Sequence, residues 1–281
     1  MKILGTVLFC LLFLNGCIPN TENKNKKIIT VTIEPLRYVA SAIAGDQFTV
    51  QTLVPKGGNP ETYEPKPSQM ADLQYSTLYC QIGELGFEKV WKDKIAKQSP
   101  HLLICNTSSN IDLIGEGNHF DPHIWASPRN MSLMADLIYH QLCIIDKVNT
   151  PLYKENYQQL QKRLYQIDDS ICSILEGKAP AFMAYHPTLS YFARDYGLKQ
   201  IAIEEHGKEP SAKRMQDLIT EARKEKVKII LVQKEFDTRY AELIAKEIQA
   251  KVVQIDPLSP DWESEMIRIA KLLKDGEETT N

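Results

Sequence analysis

Four side chains in this sequence have the chemistry to hold a divalent cation: Glu61, His123, His186 and Asp256. Glu61 lies in Gly57-Gly58-Asn59-Pro60-Glu61-Thr62-Tyr63-Glu64-Pro65 and His123 in Asp121-Pro122-His123-Ile124-Trp125, while His186 and Asp256 each directly follow an expected strand, so all four are read as loop residues. Two imidazoles and two carboxylates form a borderline donor set that suits Zn²⁺, Mn²⁺ or Fe²⁺. The metal needs neutral imidazole and ionised carboxylate, so affinity should fall in acid. Four protein ligands would close a tetrahedral zinc site and leave no position for an activated water, which weighs against a hydrolase. The four are spaced far too widely for a local metal motif, so only the fold can bring them together.

The elements that must do this alternate. In the first half, expected strands at 28–33, 48–54, 77–82 and 102–105 are separated by helices at 36–44, 68–75 and 87–97. Gly45 closes the first helix and Ser68 is expected to cap the second. A long loop leads to a helix at 129–145, with Ser127 as its cap and Pro128 at its first position. The second half repeats the plan, with strands at 181–185, 199–203, 228–232 and 251–255. Its helices end at Gly197, start at Ser211, and span 238–248 and 262–274. This pattern predicts an α/β chain with two βα-repeat lobes and mostly parallel sheets. Glu61, His123, His186 and Asp256 all fall after strands, where parallel sheets bind ligands. Two come from each half, which predicts one cleft between the lobes.

Between the halves, Tyr153, Tyr157, Leu160, Leu164, Ile167, Ile171 and Ile174 make a narrow helical stripe. A helix from 151 to 175 would run ~37 Å, about the size of a lobe, and one stripe can lie along both lobes as a rigid spine. The alternative use of the stripe is a coiled-coil dimer seam; a monomer is expected. The expected segments are 28–149 for the first lobe, 150–177 for the spine and 178–281 for the second lobe.

Ahead of them, Lys2 and the apolar run 3–14 read as a signal peptide, too short to span and stay. Leu14-Asn15-Gly16-Cys17 resembles a lipobox, so residues 1–16 are expected to be removed, Cys17 acylated, and 17–27 left as a tether outside the cytoplasm. Hydrophobic residues make up 43% of the 281 residues and charged residues 25%, which excludes a disordered chain. The net charge of −3 offers nothing to attract nucleic acid. Cys80, Cys105, Cys143 and Cys172 remain beyond Cys17. Cys80 and Cys105 both end expected strands, and a bridge between them and four buried free thiols fit the sequence equally. No CxxC, HExxH or GxSxG occurs.

From about residue 26 onward the chain is similar to the zinc/manganese solute-binding family, the lipoprotein metal-binding subunits of bacterial ABC transporters. The resemblance rests on Leu53-Val54-Pro55 through Tyr63-Glu64-Pro65, on Asp121-Pro122-His123-Ile124-Trp125-Ala126-Ser127-Pro128, on Ala184-Tyr185-His186-Pro187 with Tyr191 to Leu198, on Glu209-Pro210-Ser211, and on Asp256-Pro257-Leu258. It implies two lobes on a rigid helix, small closing motions, and a metal held between the lobes and passed to a permease subunit. It implies no enzyme; a secreted metallohydrolase using the same cleft is the competing reading. The family usually has His where this chain has Glu61. Zinc members resemble this chain at His186, where manganese members carry Glu, so zinc is the expected cargo and manganese or iron the alternative. His119 is what remains of a His-rich loop found in many zinc members, and is expected to be solvated. Glu204-Glu205-His206 could supply a replacement ligand or a carboxylate that orients a histidine, which leaves Glu205, His206 and His119 as secondary candidates. Tyr63 and Trp125 are expected to wall the cleft.

Overall fold

The computed structural model describes residues 26–117, 119–177, 181–204 and 207–278. Runs of β-branched and apolar residues form β1 (Lys27–Val31), β2 (Phe48–Thr52), β3 (Ser76–Gln81) and β4 (Leu103–Asn106), which pair in parallel in the order β2-β1-β3-β4. A small antiparallel hairpin follows, β5 (Gly115–Glu116) with β6 (His119–Phe120). The second sheet contains β7 (Ala181–Ala184), β8 (Lys199–Ala202), β9 (Ile229–Gln233) and β10 (Lys251–Ile255), also parallel, in the order β10-β9-β7-β8. The expected α/β class with two parallel sheets is what the chain adopts.

The helices are α1 (Glu34–Ala44), α2 (Pro67–Asp72), α3 (Gly86–Gln98), α4 (Pro128–Ile145), α5 (Thr150–Leu175), α6 (Ser190–Tyr196), α7 (Ala212–Lys224), α8 (Arg239–Ile248) and α9 (Trp262–Glu278). Their starts follow from sequence. Ser127 Oγ accepts the Asn130 N–H at 3.0 Å with Pro128 at the first position, and Ser211 Oγ accepts the Arg214 N–H at 3.2 Å. Gly197 takes the left-handed conformation, φ +66°, that ends α6. One cap differs from expectation. Ser68 lies inside α2, because Pro67 takes the first helical position and the Lys66 N–H is accepted by Gln69 Oε1 at 3.0 Å.

The long helix α5 is 26 residues, about 39 Å at the usual rise. Its stripe is used within the chain: Tyr153, Leu160, Leu164, Ile167 and Ile171 are buried, and the helix packs on α1, α4 and α9. One continuous apolar core therefore runs from Ile29 and Val31 of β1, through Leu160 and Leu164, to Ile229 and Leu231 of β9. The opposite face of β9, Ile230 and Val232, packs in a separate core with Leu218 of α7 and Ile244 of α8. Polar ties join the halves near the loops that leave the sheets. Trp262 Nε1 donates to Trp125 O at 2.9 Å, Tyr191 Oη donates to Asp121 O at 2.8 Å, and Tyr38 hydrogen-bonds Glu263. Among the described residues, no helix is long and apolar enough to cross a membrane.

Candidate metal site

Three of the four expected ligands meet. Glu61, His123 and His186 each offer one ligand atom, and these atoms lie within 4.8 Å of one another. His123 Nε2 is 3.0 Å from His186 Nε2, His186 Nε2 is 3.0 Å from Glu61 Oε2, and His123 Nε2 is 3.8 Å from Glu61 Oε1. A tetrahedral zinc ion with bonds of about 2.0–2.1 Å holds its nitrogen ligands about 3.3 Å apart, so the three atoms already stand near coordinating distance. They open onto a cleft of about 340 Å³ lined from both halves of the chain.

Each side chain is fixed by its loop. Glu61 follows β2, where its backbone N–H donates to Asn59 Oδ1 at 2.9 Å. Gln69 of α2 holds the same loop, accepting from Tyr63 Oη at 2.7 Å and donating to Leu53 O at 3.1 Å. His123 follows β4 and the hairpin. Asp121 Oδ1 accepts both its backbone N–H and its ring Nδ1–H, each at 2.8 Å. The Trp125 ring meets the His123 ring edge-on at 5.1 Å. His186 follows β7; its carbonyl accepts from Gln233 Nε2 at 2.8 Å and its ring stacks on Phe236 at 5.1 Å. Its Nδ1 donates to Glu204 Oε1 at 2.5 Å.

Asp121 and Glu204 thus hold the Nδ1 protons, leaving both Nε2 atoms turned to the shared point. Glu204 comes from the expected Glu204-Glu205-His206 stretch; Asp121 was not among the expected site residues. Glu205 and His206 lie outside the described residues, as does Cys17. His119 is exposed on β6, as expected of a solvated loop residue. Trp125 walls the site, whereas Tyr63 turns to Phe87, with ring centroids 6.2 Å apart.

Asp256 is not in the three-residue group. It follows β10, but its carboxylate accepts from Lys234 Nζ at 2.8 Å and lines a neighbouring pocket with Glu34 and Lys56. Three gathered ligands leave a fourth position open, so the argument from a closed coordination shell does not exclude hydrolysis. Of the other carboxylates beside the two histidines, Asp121 and Glu204 are each tied to a histidine ring, and Glu235 lines a pocket with both rings.

The electrostatics describe a proton held where a cation would sit. Burial works against charge on His186, but its hydrogen bonds and charge pairing with Glu204 and Glu61 push its pKa up to about 9. Burial would raise Glu61; the hydrogen bond from His186 and the charges of His123 and His186 hold it below the usual carboxylate range. Asp121 is likewise lowered, against burial, by its bonds to His123. A doubly protonated His186 therefore shares its Nε2 proton with Glu61 and His123.

Residues 29–275 match the family model described as "Zinc-uptake complex component A periplasmic". The chain belongs to that family. It is a metal-binding solute-binding protein of the ABC-transport type, a transporter component and not an enzyme. It is 28% identical over 274 residues to a Chlamydia trachomatis protein described as metal-binding, covering 94% of this chain and 97% of that one. The high-affinity zinc uptake system protein ZnuA of Bacillus subtilis is 26% identical over 260 residues, covering 85% of this chain and 81% of it. A crystal structure of ZnuA superposes with a TM-score of 0.84 at 35% identity, covering 89% of this chain and 99% of that one. The Pseudomonas aeruginosa protein FpvC, solved with Mn²⁺, shares the fold with a TM-score of 0.79 at 24% identity, over 91% of this chain and all of that one.

Proposed function

We propose that this protein captures a divalent transition metal, zinc before manganese or iron, and hands it to an ABC permease for uptake. The observation that carries the reading is the convergence of Glu61, His123 and His186, with both imidazole Nδ1 atoms already held by carboxylates. Two fixed imidazole nitrogens favour zinc over hard, oxygen-preferring ions, and Glu61 supplies one carboxylate and its charge. The fourth position is taken by Asp256 after it leaves Lys234, or by water. The Lys234–Asp256 pair does not prevent the first. Lys234 is 58% exposed, and an exposed ion pair contributes only about 0–1 kcal/mol. Membership of a family described as periplasmic, together with the lipobox-like Cys17, supports a protein tethered by lipid outside the cytoplasm. The likeness to the zinc uptake protein of Bacillus subtilis supports zinc as the cargo. The Mn²⁺-loaded neighbour keeps manganese as the second reading, since Glu61 softens the distinction that His186 makes.

Native mass spectrometry of metal-stripped protein, with zinc and manganese in competition, tests this directly. One zinc ion per chain that manganese does not displace is expected. Preferential manganese loading would transfer the function to the second reading, and no bound metal would end both.

A further inference from the structure

Strands β3 and β4 each carry one cysteine, and their register sets Cys80 directly beside Cys105. The two side chains interact, and both are free thiols in this structure. Both are buried, Cys80 completely and Cys105 to 4% exposure. Neighbouring strands lie about 4.7–4.9 Å apart, and disulfide-linked α-carbons lie about 4.4–6.8 Å apart. A register pair in adjacent strands therefore meets the α-carbon spacing of a bridge, while the β-carbons, which a bridge holds about 3.5–4.5 Å apart, must draw slightly together. The other two thiols are not buried as expected and have different neighbours: Cys143 is half-buried beside Tyr139, and Cys172 is exposed, 3.8 Å from the Arg129 guanidinium.

We propose that Cys80 and Cys105 are joined by a disulfide in the exported protein, fixing edge strand β4 to the sheet that carries the site. The proposal rests on the extracytoplasmic reading above, because a structural disulfide persists only in an oxidising compartment. Its place in the fold gives it a use. β4 ends the order β2-β1-β3-β4 and is held on one side only, by β3. The ladder closes with the Thr107 N–H donating to Gln81 O at 3.0 Å, and the chain then leaves the sheet for the loop that delivers His123. A covalent tie at Cys105 anchors that departure point.

The oxidant is a disulfide, either a small one such as oxidised glutathione or a protein disulfide donor. One cysteine thiolate attacks it, forming a mixed disulfide and expelling one thiol. The second cysteine then attacks the mixed disulfide, closing the Cys80–Cys105 bond and expelling the second thiol. Two electrons pass from the cysteines to the oxidant, and the two thiol hydrogens end on its two products. In the packed sheet, the neighbouring Cys105 thiol and burial hold the Cys80 thiol strongly in its neutral form. Exchange therefore precedes the docking of β4, and the finished bond is shielded from later reduction.

The test uses the full chain, exported by its own leader and alkylated under denaturing conditions without reductant. Peptide mapping is expected to show Cys80 linked to Cys105, with Cys143 and Cys172 alkylated. Adding reductant before alkylation should free all four and lower the Tm of the wild type. It should leave unchanged the Tm of the Cys80→Ala/Cys105→Ala protein. Alkylated Cys80 and Cys105 in the unreduced sample, or a bridge to Cys143 or Cys172, would overturn the proposal. Zinc titration of the same preparation tests the transport reading separately: a chain that binds zinc without the bridge loses only the disulfide.

Discussion

Each histidine of the site has one ring nitrogen committed to a carboxylate and the other turned to the point where a metal would sit, so the carboxylates matter nearly as much as the ligands. Glu204→Gln and Asp121→Asn should each weaken zinc binding by about 10–100-fold, since the imidazole loses both orientation and basicity. Competitive titration with a chromophoric chelator measures this, and parental affinity in both would mean the rings are held by packing alone. His123→Ala and His186→Ala should cost more, and their combined effect should be less than the sum, because both act on one ion. Glu61→Ala should weaken binding, while Glu61→His should raise the zinc-to-manganese ratio by exchanging an oxygen donor for imidazole. An unchanged ratio in Glu61→His would remove Glu61 from the ligand set, and His119→Ala serves as the parental control. The sequence announced these residues unevenly. Asp121 stands two before His123, the spacing at which an Asp accepts the backbone N–H in a local turn, so its signal was present and went unread. Glu204 reaches His186 only because β8 pairs with β7, which no local pattern reveals. Asp256 was legible as a loop carboxylate after a strand, but its partner Lys234 lies on another strand's end and could not be foreseen.

At the scale of elements, alternation and caps predicted both sheets and the long helix because each signal was local and repeated. The stripe on α5 was legible nearly to its end; the burial of Leu175 where Ile174 was expected is a shift of one residue at the helix terminus. The β5–β6 hairpin was missed because two-residue strands carry no periodicity to read. Order among the strands was also beyond the sequence, since it depends on crossovers and not on composition. The use of the α5 stripe carries its own prediction. Leu164 is buried to 1% exposure in the core shared by both sheets. Leu164→Ala should therefore destabilise the protein by about 2–5 kcal/mol. Urea unfolding followed by tryptophan fluorescence and by far-UV circular dichroism should show one shared transition moved to lower denaturant. Two separated transitions would mean that the sheets unfold as independent lobes.

For the molecule as a whole, a continuous core under both sheets and a helix packed along it leave little room for hinge bending. Metal should therefore act more on stability than on shape, with little change in radius of gyration by solution scattering on loading. The stabilisation depends on pH, and its sign follows from the site. His186 titrates at about 9 in the folded metal-free protein against an ordinary value of 6.5. Its contribution to the metal-free fold is thus complete below 6.5 and is lost as pH rises through 9. Glu61 is held below its ordinary 4.5, so its contribution is present above 4.5 and disappears as pH falls through its lowered value. Zinc displaces the His186 Nε2 proton, which faces Glu61 and His123. Binding near neutral pH should then release about one proton per ion, and affinity should rise about tenfold per pH unit up to 9. At a hundredfold excess over the dissociation constant, the bound metal adds about 2.7 kcal/mol. At fixed free zinc, that excess grows as the proton leaves. Thermal scans at about pH 6 and about pH 8, with and without zinc, should therefore show the larger rise in Tm at the higher pH. An equal rise at both would mean that no proton competes with the metal, and a rise at neither would place the metal outside the folded site.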